Sequence, residues 1–151
     1  MGDFWRTTRP RSRTDRICPE CGEPIPAGAI YVRHAGVSDG DMISAFQCEP
    51  CDAFAERYLV SLALSEILNF DEKTYQFGSL LSEAAEFTGY LWSNSIDDQT
   101  PAQQRDAMLP LFDQHDEAER KHQEDLRALR ERAQKTPAGR AALQKEEEGR
   151  G

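Results

Sequence analysis

The chain has 151 residues, 38% of them hydrophobic and 30% charged, with a formal net charge of −9. That supports one modest core with further chain left exposed or extended, and no run approaches the roughly 18 apolar residues that cross a membrane. Residues 18–100 hold fourteen acids against Arg33, Arg57 and Lys73, which argues against a broad nucleic-acid footprint over the middle of the chain.

Residues 1–17 are the basic exception, with Arg6, Arg9, Arg11, Arg13 and Arg16 against Asp3 and Asp15. Without an apolar run they are no secretory signal. The expected location is the cytoplasm, where thiols stay reduced. The segment reads as a flexible basic arm. Its five arginines, with Phe4 and Trp5 for stacking, are candidate nucleic-acid contacts. An arm tethered to an acidic surface, including residues 18–100, is the plainer reading.

Cys18-Pro19-Glu20-Cys21-Gly22 follows. Two thiolates three positions apart converge on one ion when the turn between them bends tightly, and Gly22 supplies the positive φ for that bend. Cys48-Glu49-Pro50-Cys51 lies 26 residues further on. Pro50 fits only the first turn of a helix, and a helix start favours thiolate charge. Two such pairs define a closed four-thiolate site for one structural Zn2+, with Cys18, Cys21, Cys48 and Cys51 as ligands and no position left for a reacting water. A disulfide framework needs an oxidising compartment. A redox pair needs a preceding βαβ context, and an iron site of rubredoxin type repeats the Gly-containing knuckle; neither pattern is present.

Between the pairs, Gly28 precedes residues 29–35, which like 42–47 are rich in strand formers, and Gly36 to Asp41 is turn chemistry, so a β-hairpin is expected. A first helix is expected from Cys48 or Glu49 to about Asn69, with Phe54, Tyr58, Leu59, Leu62, Ile67 and Leu68 at helical spacing. A second carries the stripe Phe77, Leu80, Leu81, Ala84, Phe87, Thr88 and Leu91, and a polar linker covers Ser93 to Gln99. Thr100-Pro101-Ala102-Gln103 is a capping box, and Pro110 is expected to break or kink the helix it opens. A charged helix over about 111–135 follows, with acid-before-base pairs such as Glu117 and Lys121 four residues apart. Its narrow apolar seam is Phe112, Leu126, Leu129 and Ala133. His115, Glu119 and His122 share one face, where a second metal is the sharp reading and a solvated or partner-facing seam the bland one. Residues 136–151 read as a polar, frayed tail.

The knuckle, hairpin and helix-start cysteines resemble the treble-clef class of zinc fingers over about residues 17–68. Small bacteriophage and bacterial proteins share a similar Gly28-x-x-Tyr31-x-Arg33 strand and an Asp39-Gly40 turn. The resemblance implies a treble-clef finger with its helix (18–69); with the elements read along the chain, the expectation is an α+β protein with a basic arm (1–17), that finger, a helical region (70–135) and a tail (136–151). A His-Asn-His nuclease also uses this framework. His34 could stand for its first histidine, but no Asn lies between Cys21 and Cys51 and no His between Cys51 and Leu68. The expected function is therefore a non-enzymatic, zinc-binding protein acting through protein–protein contacts, such as a phage-encoded regulator or inhibitor of a host defence complex. The alternative is a nucleic-acid-binding accessory factor using the Arg-rich arm. Phe4, Trp5, Tyr90 and Trp92 are candidate interface anchors, and the charged helix is a route to homo-oligomers. No membrane partner is expected.

Overall fold

A computed structural model describes residues 4–65, 75–90 and 98–149, apart from the side chains of Phe4 and Ser38. The fold is α+β, with the strands N-terminal and the helices C-terminal. No helix among the described residues is long and apolar enough to cross a membrane. Two compact units divide the chain, residues 1–113 and 114–151.

In the first unit, β1 (Phe4–Thr8), β4 (Tyr31–Ser38) and β5 (Asp41–Cys48) form an antiparallel sheet in the order β1-β4-β5. The hairpin extends further than its turn residues suggest. Asp39 and Gly40 both adopt positive φ, 52° and 84°, and two such residues suffice to reverse a hairpin. Gly36, Val37 and Ser38 therefore stay in β4, opposite Ile43, Met42 and Asp41. β2 (Arg16–Ile17) and β3 (Pro24–Ile25) form a separate short ribbon.

The flexible arm expected over residues 1–17 is replaced by ordered chain from Phe4 onward. Phe-Trp-Arg-Thr-Thr is a run of strand formers, and it pairs residue by residue with β4, from Phe4 opposite Val37 to Thr8 opposite Arg33. The chain then continues along β4, where Tyr31 N–H donates to the Pro10 carbonyl at 3.1 Å and Ser12 N–H to that of Ala29 at 2.8 Å.

Helix α1 (Glu49–Leu64) starts where expected, with Cys48 as its extended N-cap residue and Pro50 in the first turn. Its inner face carries Cys51, Phe54, Ala55, Tyr58 and Leu62, the i, i+3, i+4, i+7 spacing of a buried stripe. The helix ends at Leu64; the expected extension to Asn69 falls largely outside the described residues. Helix α2 (Leu80–Thr88) is shorter than expected, because Gly78 and Gly89 hold positive φ at its two ends. Leu91, Trp92 and nearly all of the linker to Gln99 lie outside the described residues.

Helix α3 (Pro101–Gln134) opens on the expected capping box: Gln103 N–H donates to Thr100 Oγ1 at 3.2 Å and Thr100 N–H to Gln103 Oε1 at 3.0 Å. The expected break at Pro110 does not occur. A proline inside a helix costs about 3 kcal/mol, but Met108 and Phe112 on either side are fully buried, each worth about 1.5–3 kcal/mol. One core joins the cysteines to Phe54, Tyr58, Leu80, Ala84, Met108 and Phe112.

In the second unit, the charged helix runs on to Gln134, and the expected frayed tail is instead helix α4 (Pro137–Gly149). Pro137 occupies its first position, and Thr136 Oγ1 accepts from Gly139 N–H at 3.0 Å.

Candidate metal centre

The β2–β3 ribbon closes the loop that carries the first two cysteines. Cys18 N–H donates to the Glu23 carbonyl and Gly22 N–H to that of Cys18, both at 2.9 Å, and Gly22 takes the left-handed φ of 73° that disfavours any side chain. On the other side β5 delivers Cys48, and the first turn of α1 delivers Cys51. The four sulfurs lie within 4.8 Å of one another and all four side chains are buried. Cys21 and Cys48 sulfurs are 3.6 Å apart, and Cys48 N–H faces Cys18 Sγ at 3.4 Å.

Four buried thiols cannot all ionise without a cation. Contacts from Cys48 and then Cys51 pull the Cys18 thiol far below its usual value. The same contacts act in reverse on the partners: Cys18 pushes Cys48 up to about 12 and raises Cys51 further. Backbone N–H groups favour the charge in both pairs alike, Cys21 acting on Cys18 and Cys51 on Cys48. The donor set is all sulfur, closed and matched in its two halves. It suits a single soft or borderline cation in a structural role.

Each pair is also tied to a helix. Glu20, inside the first knuckle, accepts from the N–H groups of Gly78 and Leu80, the latter at 3.0 Å. It thereby satisfies donors at the start of α2, where Ser79 makes no side-chain cap of its own. Burial raises the Glu20 carboxyl above its usual value, with these two N–H groups pulling the other way. At the second pair, Arg105 of α3 donates to Cys51 Sγ at 3.6 Å and reaches Cys48 Sγ at 3.9 Å. Burial works against the Arg105 charge, but Cys51 and Asp106 outweigh it and hold the guanidinium above its usual value.

A second polar group sits beside the cysteines and was not read from the sequence. Asp52 is buried next to Cys51. It accepts from Arg9 Nη2 at 3.1 Å and Gln47 Nε2 at 3.2 Å, with His34 Nε2 at 3.4 Å. Gln47, 1% exposed, accepts from Tyr75 Oη at 3.0 Å, and His34 Nδ1 lies 3.0 Å from Thr7 Oγ1. His34 also stacks on Phe77 at 5.6 Å. No buried side-chain nitrogen or oxygen among the described residues lacks a partner, so this is a satisfied bracket between β1, β4, β5 and α1.

The five N-terminal arginines are thus dispersed. Arg9 meets Asp52 and, at 3.8 Å, Glu49. Arg11 donates to the Gly28 carbonyl at 3.1 Å. Arg16 donates to Ser12 Oγ at 3.2 Å and lies over the Tyr31 and Phe46 rings. Arg6 and Arg13 are exposed. Among the described residues the cysteines are the one group of three or more potential ligand side chains gathered around a common point. His115 instead faces Asp116 at 3.3 Å, Glu119 accepts from Gln123, and His122 is exposed. Of the candidate anchors, Trp5 is half-exposed and lies 6.1 Å from the Phe77 ring, while Tyr90 is in the core. Trp92 is outside the described residues.

These features define a four-cysteine cluster compatible with a single structural metal site, with a helix fastened to each pair. Comparison with family profiles, curated proteins and solved structures finds no match to this chain.

Proposed function

We propose that this is a zinc-stapled, non-enzymatic protein-binding module of the treble-clef type. The carrying observation is the closed centre itself: four buried thiols within 4.8 Å, with Arg105 over two of the sulfurs. Such a site leaves no position for substrate or water, so activity falls to the surfaces that the metal supports. The order of knuckle, hairpin and helix start supports the treble-clef reading. Zinc fits the sulfur donors and the two matched pairs.

The surface best suited to a protein partner is the helix of the second unit. Leu126 and Leu129 are 46% and 54% exposed among charged neighbours, and Ala133 follows at helical spacing. A narrow apolar seam flanked by charges is the pattern of a helix that pairs with another helix. The occupant we favour is an amphipathic helix of a second protein, and a regulatory role of the phage-inhibitor kind rests on the treble-clef resemblance.

Metal analysis should find close to one zinc per chain. Cys48→Ser should lose that zinc and unfold residues 18–52 while keeping most of the helical circular dichroism; an unchanged zinc content would sink the assignment. Leu126→Asp with Leu129→Asp should abolish a co-purifying complex with zinc content intact. A complex that survives both changes would refute the helix-pairing surface.

A further inference from the structure

One face of the three-stranded sheet gathers arginines that have no acidic partner among the described residues. In the observed register Arg6, Ala35 and Ser44 form one row and Thr8, Arg33 and Phe46 the next. Directly paired residues share a face, so Arg6, Arg33, Ser44 and Phe46 stand together. Tyr31, opposite Cys48, continues the same face. Arg16 reaches over it from β2, its guanidinium carbon 5.1 Å from the Tyr31 ring centre and 5.3 Å from that of Phe46. Arg16, Tyr31, Arg33, Ser44 and Phe46 line a cleft of about 300 Å³.

The bonding of the two cleft arginines leaves their charge unanswered. Arg16 uses Nε on Ser12 Oγ at 3.2 Å, and Arg33 uses Nε on Ser44 Oγ at 3.3 Å. Both acceptors are neutral hydroxyls. Arg9, Arg57 and Arg105 all meet carboxylates. The chain has 27 acids against 18 bases, so a cationic face without a carboxylate stands out against the rest of the molecule.

We propose that this face binds a short stretch of single-stranded nucleic acid. A backbone phosphate would be taken by Arg16 and Arg33 with the Ser44 hydroxyl. A base would stack on the planar Arg16 guanidinium, which already lies close to the Tyr31 and Phe46 rings, and the strand would continue toward Arg6. Guanidinium planes and aromatic rings are the stacking surfaces that single strands use. The cleft is small, at the lower end of ligand-site volumes, which suits one nucleotide at a time. A rigid duplex would bring more phosphates against the acidic surroundings than three arginines offset. An acidic peptide would meet the charge but leave the stacked surface unused. The site differs from a mobile arm: Arg9 and Arg11 are committed within the fold, and Arg33 of β4 takes part. It goes beyond the helix-pairing reading and does not depend on it.

The test is fluorescence anisotropy of the full metal-loaded chain with labelled oligo-dT and oligo-rU of about ten nucleotides, a length within single-strand site sizes. At about 50 mM salt binding should be measurable, and log K should fall with log salt at a slope of about −1.4, since the two phosphates held, one by Arg16 with Arg33 and one by Arg6, each contribute about 0.7. Arg33→Glu should weaken binding tenfold or more and Arg6→Glu several-fold. Arg16→Lys, which keeps the charge and loses the flat stack, should also weaken it several-fold. Lys145→Glu makes the same charge change on α4 and should alter binding less than twofold. The proposal is overturned if no binding is seen at that salt, or if Lys145→Glu costs as much as Arg33→Glu. It is equally overturned if a duplex, or an acidic peptide of matched charge, binds as tightly as the single strand.

Discussion

Arg105→Met removes a buried charge from beside the thiolates and keeps most of the side chain's volume. The guanidinium lies 3.6 Å from Cys51 Sγ and 3.9 Å from Cys48 Sγ. At an effective dielectric of about 20 the attraction to one thiolate at that distance is about 4–5 kcal/mol before desolvation. Burial of Arg105 offsets part of it, and hydrogen bonds to charged groups retain about 1.5–3 kcal/mol net. Asp106, left behind, is mostly exposed and finds water. Zinc affinity should therefore fall about ten- to a hundredfold, the range seen when partners of metal ligands are removed. Competition against a chromophoric chelator at neutral pH measures it, with circular dichroism to confirm folding. Arg105→Lys should recover part of the loss, because it restores a positive charge without the planar fork. A folded Arg105→Met with affinity within twofold of the parent would refute the electrostatic role.

Glu20→Ala should leave the part-buried Leu80 N–H unpaired, costing about 1–3 kcal/mol, while the exposed Gly78 N–H turns to water, and hydrogen exchange should accelerate at Leu80 and Leu81 before it does in α1. Carbon NMR should find the Glu20 carboxyl titrating above the ordinary glutamate range, because burial disfavours its charge. Because its folded value is raised, its contribution favours folding below its unfolded pKa and is lost as pH rises through the folded one; a normal or lowered titration would contradict this. Asp52→Ala strips the acceptor from Arg9, Gln47 and His34; Arg9 is half-exposed and finds water, so the cost is mainly that of the buried Gln47 amide, about 1–3 kcal/mol, in a denaturant midpoint assay, and a loss below about 0.5 kcal/mol would show that water replaces the carboxylate. Pro110→Ala restores a helical N–H at an exposed position and should raise Tm, by up to about 3 kcal/mol of stability; a fall would mean that the proline's geometry is needed by Met108 and Phe112.

The cysteine pairs, the hairpin, the start of α1 and the capping box were legible because each is encoded locally. Spacing, turn glycines and the Thr100–Gln103 reciprocity carry their own geometry. What escaped depends on partners distant in sequence. Phe4 to Thr8 looked like an arm because five nearby arginines dominate its composition, while its pairing to β4 is invisible until the sheet exists. Pro110 read as a break because its backbone cost is local and the burial that offsets it is not. Glu20 lay in plain sight between two cysteines, yet its role as a cap on α2 spans 58 residues to Gly78. Arg105 left a usable signal. It falls on the stripe Ala102, Met108 and Phe112, and a charge on an apolar stripe calls for a buried counter-charge. The cysteines are the natural supply.

The placing of Arg105 sets an order of events during synthesis. All four cysteines emerge before it, and it lies 54 residues beyond Cys51. N-terminal structure forms first as a chain is made, so the thiols can close on their ion while the site is still open on that side. Only afterwards does α3 lay its guanidinium over the two helix-start sulfurs. An ion taken up at that stage would then be covered by a packed helix. Its release should be slow for a reason separate from affinity: α3 would have to lift first.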